Sequence, residues 1–135
     1  MSIAGVEQAV AALGRWHPGD LAFIEEVRIS GGLGHEKPLL ELTALFQPRS
    51  LSSSGWPDFE AQFHRVVLKF DQVSDFVLRH PPSGQVTGFA IEDVRNSGME
   101  KLNYRVEDYE NGCIFFYCEK ISLVMRGSTF LEARC

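Results

Sequence analysis

From Leu21 onward the hydrophobic pattern of the chain has a period of two. Leu40, Leu42, Ala44 and Phe46 alternate with Glu41, Thr43 and Gln47. Val66, Leu68 and Phe70 alternate with Arg65, Lys69 and Asp71. Successive side chains of a strand leave opposite faces, so this period predicts half-buried strands. An earlier strand places Leu21, Phe23, Val27 and Ile29 on one face and Ala22, Ile24, Glu26 and Arg28 on the other. Gly31-Gly32-Leu33-Gly34 joins it to residues 40–46 as a first hairpin, with His35 and Glu36 near the tip.

Two short strands follow over residues 73–79 and 86–94, turned between by Pro81-Pro82-Ser83-Gly84. Leu102, Tyr104 and Val106 then alternate toward Asn111-Gly112, the pair that a two-residue type I′ hairpin turn requires. That turn sets Val106 opposite Tyr117, Asp108 opposite Phe115 and Tyr109 opposite Ile114. Residues 113–125 are apolar on both faces, as expected of one strand at the centre of a sheet.

Only the N-terminus has a helical period. Val6, Ala9, Val10 and Leu13 share one face of residues 5–14, and Gly14 is placed to end the helix. The predicted fold is therefore α+β and mainly β. It is a curled antiparallel sheet, barrel- or sandwich-like, of about seven or eight strands with one short N-terminal helix. No repeat or linker divides residues 1–135, so a single domain is expected.

Composition narrows the function. The formal charge is -5, and the 13 basic residues are scattered. Phosphate backbones are bound through clustered Lys and Arg, so neither nucleic acid nor an anionic membrane is an expected partner. No apolar run approaches the roughly 18 residues of a membrane helix. The apolar start, residues 1–12, lacks the basic opening of a secretory signal and contains Glu7. A cytoplasmic location is expected. Cys113 and Cys118 would sit roughly 16 Å apart in a regular strand. A disulfide needs about 4.4–6.8 Å, so buried free thiols are expected, in keeping with a reducing compartment.

Motifs for chemistry are sparse. His17, His35, His64 and His80 have no metal-ligand spacing, and no nucleophile motif is present, so no metal or cofactor is expected. Three groups break their local pattern. Glu25 falls among Leu21, Phe23, Val27 and Ile29. His64 shares parity with Val66, Leu68 and Phe70, and Asp93 lies beside Phe89 and Ile91. Lining one cavity, Glu25, His64 and Asp93 would make a small-molecule or acid–base enzymatic β-barrel. A bulge that reverses strand parity would account for Glu25 without any chemistry. A different candidate is the hairpin tip, where Glu107, Asp108 and Glu110 surround Tyr109, with Trp56 contributed by the polar stretch 47–58. Aromatic anchors beside acids suit a protein-binding patch that steers a basic partner.

The run FHRVVLKFDQVSDFVL…VTGFAIEDV…LNYRVEDYENGCIFFYCEKISLV resembles families of small bacterial β-rich proteins of unknown function, some of them immunity proteins of toxin–immunity systems. The likeness covers about half of the chain and consists of strand and turn cadence. It implies an acidic, cytoplasmic, single-domain binder that blocks a partner toxin, and it transfers no residue roles. The leading expectation is thus a protein-interaction domain of the immunity type rather than an enzyme. A homodimer is also compatible with residues 113–125, whose two apolar faces suit an intersubunit sheet as well as an internal one.

Overall fold

The computed structural model describes residues 3–31, 37–48, 60–79, 85–86, 88–95, 103–108 and 112–129. Helix α1 (Val6–Leu13) precedes eight strands: β1 (Leu21–Ser30), β2 (Leu39–Phe46), β3 (Phe63–Asp71), β4 (Ser74–Leu78), β5 (Phe89–Asp93), β6 (Tyr104–Asp108), β7 (Ile114–Cys118) and β8 (Lys120–Thr129). They form two four-stranded antiparallel sheets. Sheet A has the order β1-β2-β3-β8 and sheet B the order β4-β7-β6-β5. The mainly β fold with one short helix is as the sequence predicts. Of the barrel and sandwich options, the sandwich is the one formed.

The core lies between the sheets. Leu40, Leu42, Ala44, Phe46, Val66, Leu68 and Phe70 enter it from sheet A, and Phe89, Val106, Ile114, Phe116 and Cys118 from sheet B. Phe70 and Phe116 meet edge to face across it, their ring centroids 4.9 Å apart. The helix buries Ala9 and Leu13, while Val10 of the same predicted face is exposed.

Two sequence expectations are corrected. Residues 113–125 are not one strand. Their apolar pattern changes parity at Glu119: Ile114, Phe116 and Cys118 are buried before it, Ile121 and Leu123 after it. The segment therefore serves both sheets in turn, and this accounts for its two apolar faces. The hairpin register is also one residue away from the predicted one, with Val106 opposite Phe116 and Glu107 opposite Phe115. The tip is pinned differently from a two-residue turn. The Gly112 N–H donates to the Asp108 carbonyl at 3.0 Å, and the Ile114 N–H donates to Asp108 Oδ1 at 2.7 Å. A slip of one residue moves every side chain to the other face. The observed register lets both buried sets, Tyr104/Val106 and Phe116/Cys118, face the core together.

The chain changes sheets at one corner. Asp71 at the end of β3 pairs with Lys120 at the start of β8, and the Glu119 N–H donates to the Asp71 carbonyl at 2.9 Å. Gln72 takes the left-handed conformation, φ 56°, as the chain leaves for sheet B. Cys113 and Cys118 are buried free thiols. Burial, with Asp71 as a lesser contributor, pushes the Cys118 thiol up to about 12.

Candidate functional site

Sheet B turns its other face outward, and two rows of side chains cross it. Val77, Phe115, Glu107 and Ala90 stand in register in the first row. Ser74, Tyr117, Arg105 and Glu92 form the second. Phe115 and Tyr117 are half-buried and pack edge to face, with centroids 5.5 Å apart. Val77 beside them is 44% exposed. Arg105 lies between the two acids, paired with Glu92 and 3.8 Å from Glu107 Oε1. Apolar aromatic area thus continues directly into carboxylates.

Charge is divided unequally between the layers. The strands of sheet B carry five carboxylates (Asp75, Glu92, Asp93, Glu107, Asp108) and one cation, Arg105. Those of sheet A carry four (Glu25, Glu26, Glu41, Asp71) against five cations (Arg28, Arg65, Lys69, Lys120, Arg126). On the outer face of sheet A both signs mingle, with Glu26, Arg28, Glu41, Lys69 and Arg126 lining a depression of about 190 Å³. The acid excess of the strands therefore belongs to sheet B.

The predicted hairpin-tip residues fare differently. Glu107 lies on the outer face. Asp108 does not: it is 1% exposed, on the core side opposite Phe89, and its carboxylate receives the Ile114 N–H. It shapes the hairpin from within, which takes it off the predicted binding surface. Tyr109, Glu110 and Trp56 lie outside the described residues. Phe115 and Tyr117 escaped the sequence reading because they sit in a run, residues 113–125, that looks like continuous core.

Glu25, His64 and Asp93 occupy three separate settings. Irregularities in β1 between Leu21 and Phe23 and between Ile24 and Glu26 reverse its parity. Glu25 falls at the second of these and is 37% exposed. Arg65 clasps it in two contacts, Nε to Oε1 at 2.6 Å and a terminal nitrogen to Oε2 at 3.2 Å. Donating these hydrogen bonds to the Glu25 carboxylate raises the Arg65 guanidinium pKa above its usual range. His64 is half-buried opposite Phe46. Asp93, at the rim of sheet B, accepts hydrogen bonds from the side chain and the backbone N–H of Arg95, which lower its pKa.

An open groove of about 360 Å³ runs between the β1 edge and sheet B, lined by Ile24, Glu25, Glu26, Val27, Leu78, Arg79 and Ile114. Neither His64 nor Asp93 reaches it. Among the described residues no group of His, Cys, Asp and Glu is arranged to hold a metal. No helix among them is long and apolar enough to cross a membrane.

Comparison with known proteins bears on this two-layer acidic sandwich. The family model for immunity protein PIM8 matches residues 18–124. The chain belongs to that family. The match takes in β1 to β7 and the first half of β8, while α1 precedes it. Membership gives the domain an immunity-type role, which implies a protein partner. No curated protein and no solved structure gave a match.

Proposed function

We propose that this immunity-family protein acts in the bacterial cytoplasm, neutralising a toxin through the outer face of sheet B. The toxin surface that it covers is basic. The observation that carries this reading is the placing of Phe115 and Tyr117 beside Glu92 and Glu107, on the sheet whose strands carry four carboxylates outside the core against Arg105. Partly exposed aromatics supply contact area at small conformational cost, and acids around them steer a basic partner and suppress wrong ones. Tyr109 and Glu110 follow β6 directly in sequence, and with Trp56 they extend the proposed surface as sequence readings. Asp108 is left out because it is buried.

The test is rescue of growth. Bacteria expressing the cognate toxin from the same genome survive when the wild-type chain is co-expressed. Glu107→Lys combined with Tyr117→Ala abolishes survival while the purified variant stays folded by circular dichroism. Binding of purified toxin weakens at least tenfold, or about 1.4 kcal/mol. Its association rate falls as salt is raised, as for a charge-steered encounter. Undiminished protection by this double variant would overturn the proposed face.

The groove beside β1 does not support an acid–base site built on Glu25, His64 and Asp93. There Glu25 is already engaged by Arg65, and neither His64 nor Asp93 joins it as a second proton-transfer group.

A further inference from the structure

Edge strands expose unpaired N–H and C=O groups, and folded proteins normally blunt them. Three of the four sheet edges here are blunted. The β8 edge is covered where Ala4 bridges to Ser122. Ala4 N–H donates to the Ile121 carbonyl at 3.3 Å, and Leu123 N–H donates to the Ala4 carbonyl at 2.8 Å. Gly5 permits that approach, since a Cβ there would stand 2.2 Å from the Leu123 oxygen. The β4 edge is broken by an irregularity between Ser74 and Val77, with Asp75 at a φ of 54°. The β5 edge is five residues long and ends in Glu92-Asp93.

The β1 edge is different. Among the described residues it has one bridge, Phe23 to Gln85, at the start of the strand. Residues 25–30 are all exposed. They contain no proline, and the one charge that borders the groove beside sheet B, Glu25 at the bulge, is paired with Arg65. Instead Val27 and Ile29, opposite the buried Leu42 and Leu40, stand 43% and 44% exposed. Both continue the apolar inner face of sheet A beyond the cover of sheet B. Glu26 and Arg28 alternate with them on the outer face, 2.8 Å apart.

This stretch is complementary to itself. Pair it antiparallel with a second copy about a two-fold axis through Val27, and Glu26 meets the partner's Arg28 on both sides of that axis. Val27 then meets the partner's Val27, and Ile29 stands opposite the partner's Glu25, whose carboxylate is already held by Arg65. A shift of two residues in either direction sets Glu26 against Glu26 or Arg28 against Arg28, which like-charge repulsion disfavours. The charges thus choose one register.

We infer that β1 is a homodimer interface: two copies join edge to edge at residues 25–30, making one continuous sheet from both copies of sheet A. The interface is isologous, as two-fold assemblies require. It lies apart from the outer face of sheet B, so its truth does not depend on the toxin-binding reading.

Sedimentation velocity over a wide dilution series tests it with charge reversals that preserve the fold. The wild-type chain, 15.2 kDa as a monomer, sediments at twice that mass when concentrated and dissociates on dilution. Glu26→Arg alone and Arg28→Glu alone each remain monomeric, because every cross-strand pair becomes like-charged. Mixed in equal amounts, the two single variants recover the dimer as a heterodimer, and Glu26→Arg/Arg28→Glu in one chain recovers it as a homodimer. A wild type that stays monomeric at the highest concentration, or single variants that dimerise as the wild type does, would overturn the inference. Folding of every variant is read by circular dichroism, and the recovery arms show that lost association is not lost structure.

Discussion

The two layers of this sandwich are built to the same plan and treat solvent oppositely. Sheet A has strands of eight to ten residues and an outer face where cations and carboxylates interleave. Sheet B has strands of five residues, an excess of acid, and aromatic rings standing on its outer face. Long, well-paired strands with balanced charge make a platform that repels nothing and attracts little. Short strands with rings and acids in register make a surface that can discriminate among partners. The layers share a core and divide its uses.

The largest effect that tests this division comes from adjacent residues on β7. Phe116→Ala opens a cavity beneath Phe70 and should lower unfolding free energy by about 3–5 kcal/mol in a urea titration. Phe115→Ala, one residue away on the outer face, should lower it by only about 1 kcal/mol, the scale of a lost aromatic pair. Equal losses at the two positions would mean that sheet B has no distinct outer face. A smaller effect is expected at the hairpin. Asp108→Ala leaves the buried Ile114 N–H without its acceptor and should destabilise by about 1–3 kcal/mol. Asp108→Asn keeps the acceptor and should recover most of that. Toxin protection should track stability in both cases, in contrast to Glu107→Lys.

The mildest test uses pH at the corner between the layers. The folded Cys118 thiol keeps its proton to about 12, whereas an unfolded chain releases it near about 8.5. The folded state therefore holds a proton that the unfolded state has lost, and stability declines as pH rises between these two values. The slope is about 1.4 kcal/mol per pH unit for this group. Comparison with Cys118→Ala isolates it: below the usual thiol range the two curves run parallel, and above it only the wild type falls faster.

The sequence made some of these features legible and hid others for physical reasons. The clean alternation of Leu40 to Phe46 against Glu41 and Thr43 announced β2, since one face of that strand meets the core and the other water. The same logic failed at Glu25, because a bulge inserts a residue that periodicity cannot see. It failed again at residues 113–125, where apolar residues of both parities looked like one buried strand. The change from Phe116 and Cys118 to Ile121 and Leu123 across Glu119-Lys120 was written there, yet only the pairing partners reveal it as a move between sheets. Asn111-Gly112 signalled a hairpin correctly and its register wrongly, because the Asp108 carboxylate takes over part of the turn's hydrogen bonding. For the candidate site, Glu107 was legible as an acid of the outer face, where it is half-buried. Phe115 and Tyr117 were not, since a ring that faces a binding partner has the same hydrophobicity as one that faces a core.

The pairing of Asp71 with Lys120 has a consequence for how the chain acquires this shape. The strands between those residues, β4 to β7, form sheet B, so sheet B is an excursion closed at its base, from which Gln85 reaches back to bridge Phe23 of β1. β3 and β8 cannot zip until that excursion has been gathered, and contacts so distant in sequence slow folding. The part of the excursion that the platform leaves unconstrained is its outer face, Phe115, Tyr117, Glu107 and Glu92, because Val106, Phe116 and Cys118 are held in the shared core.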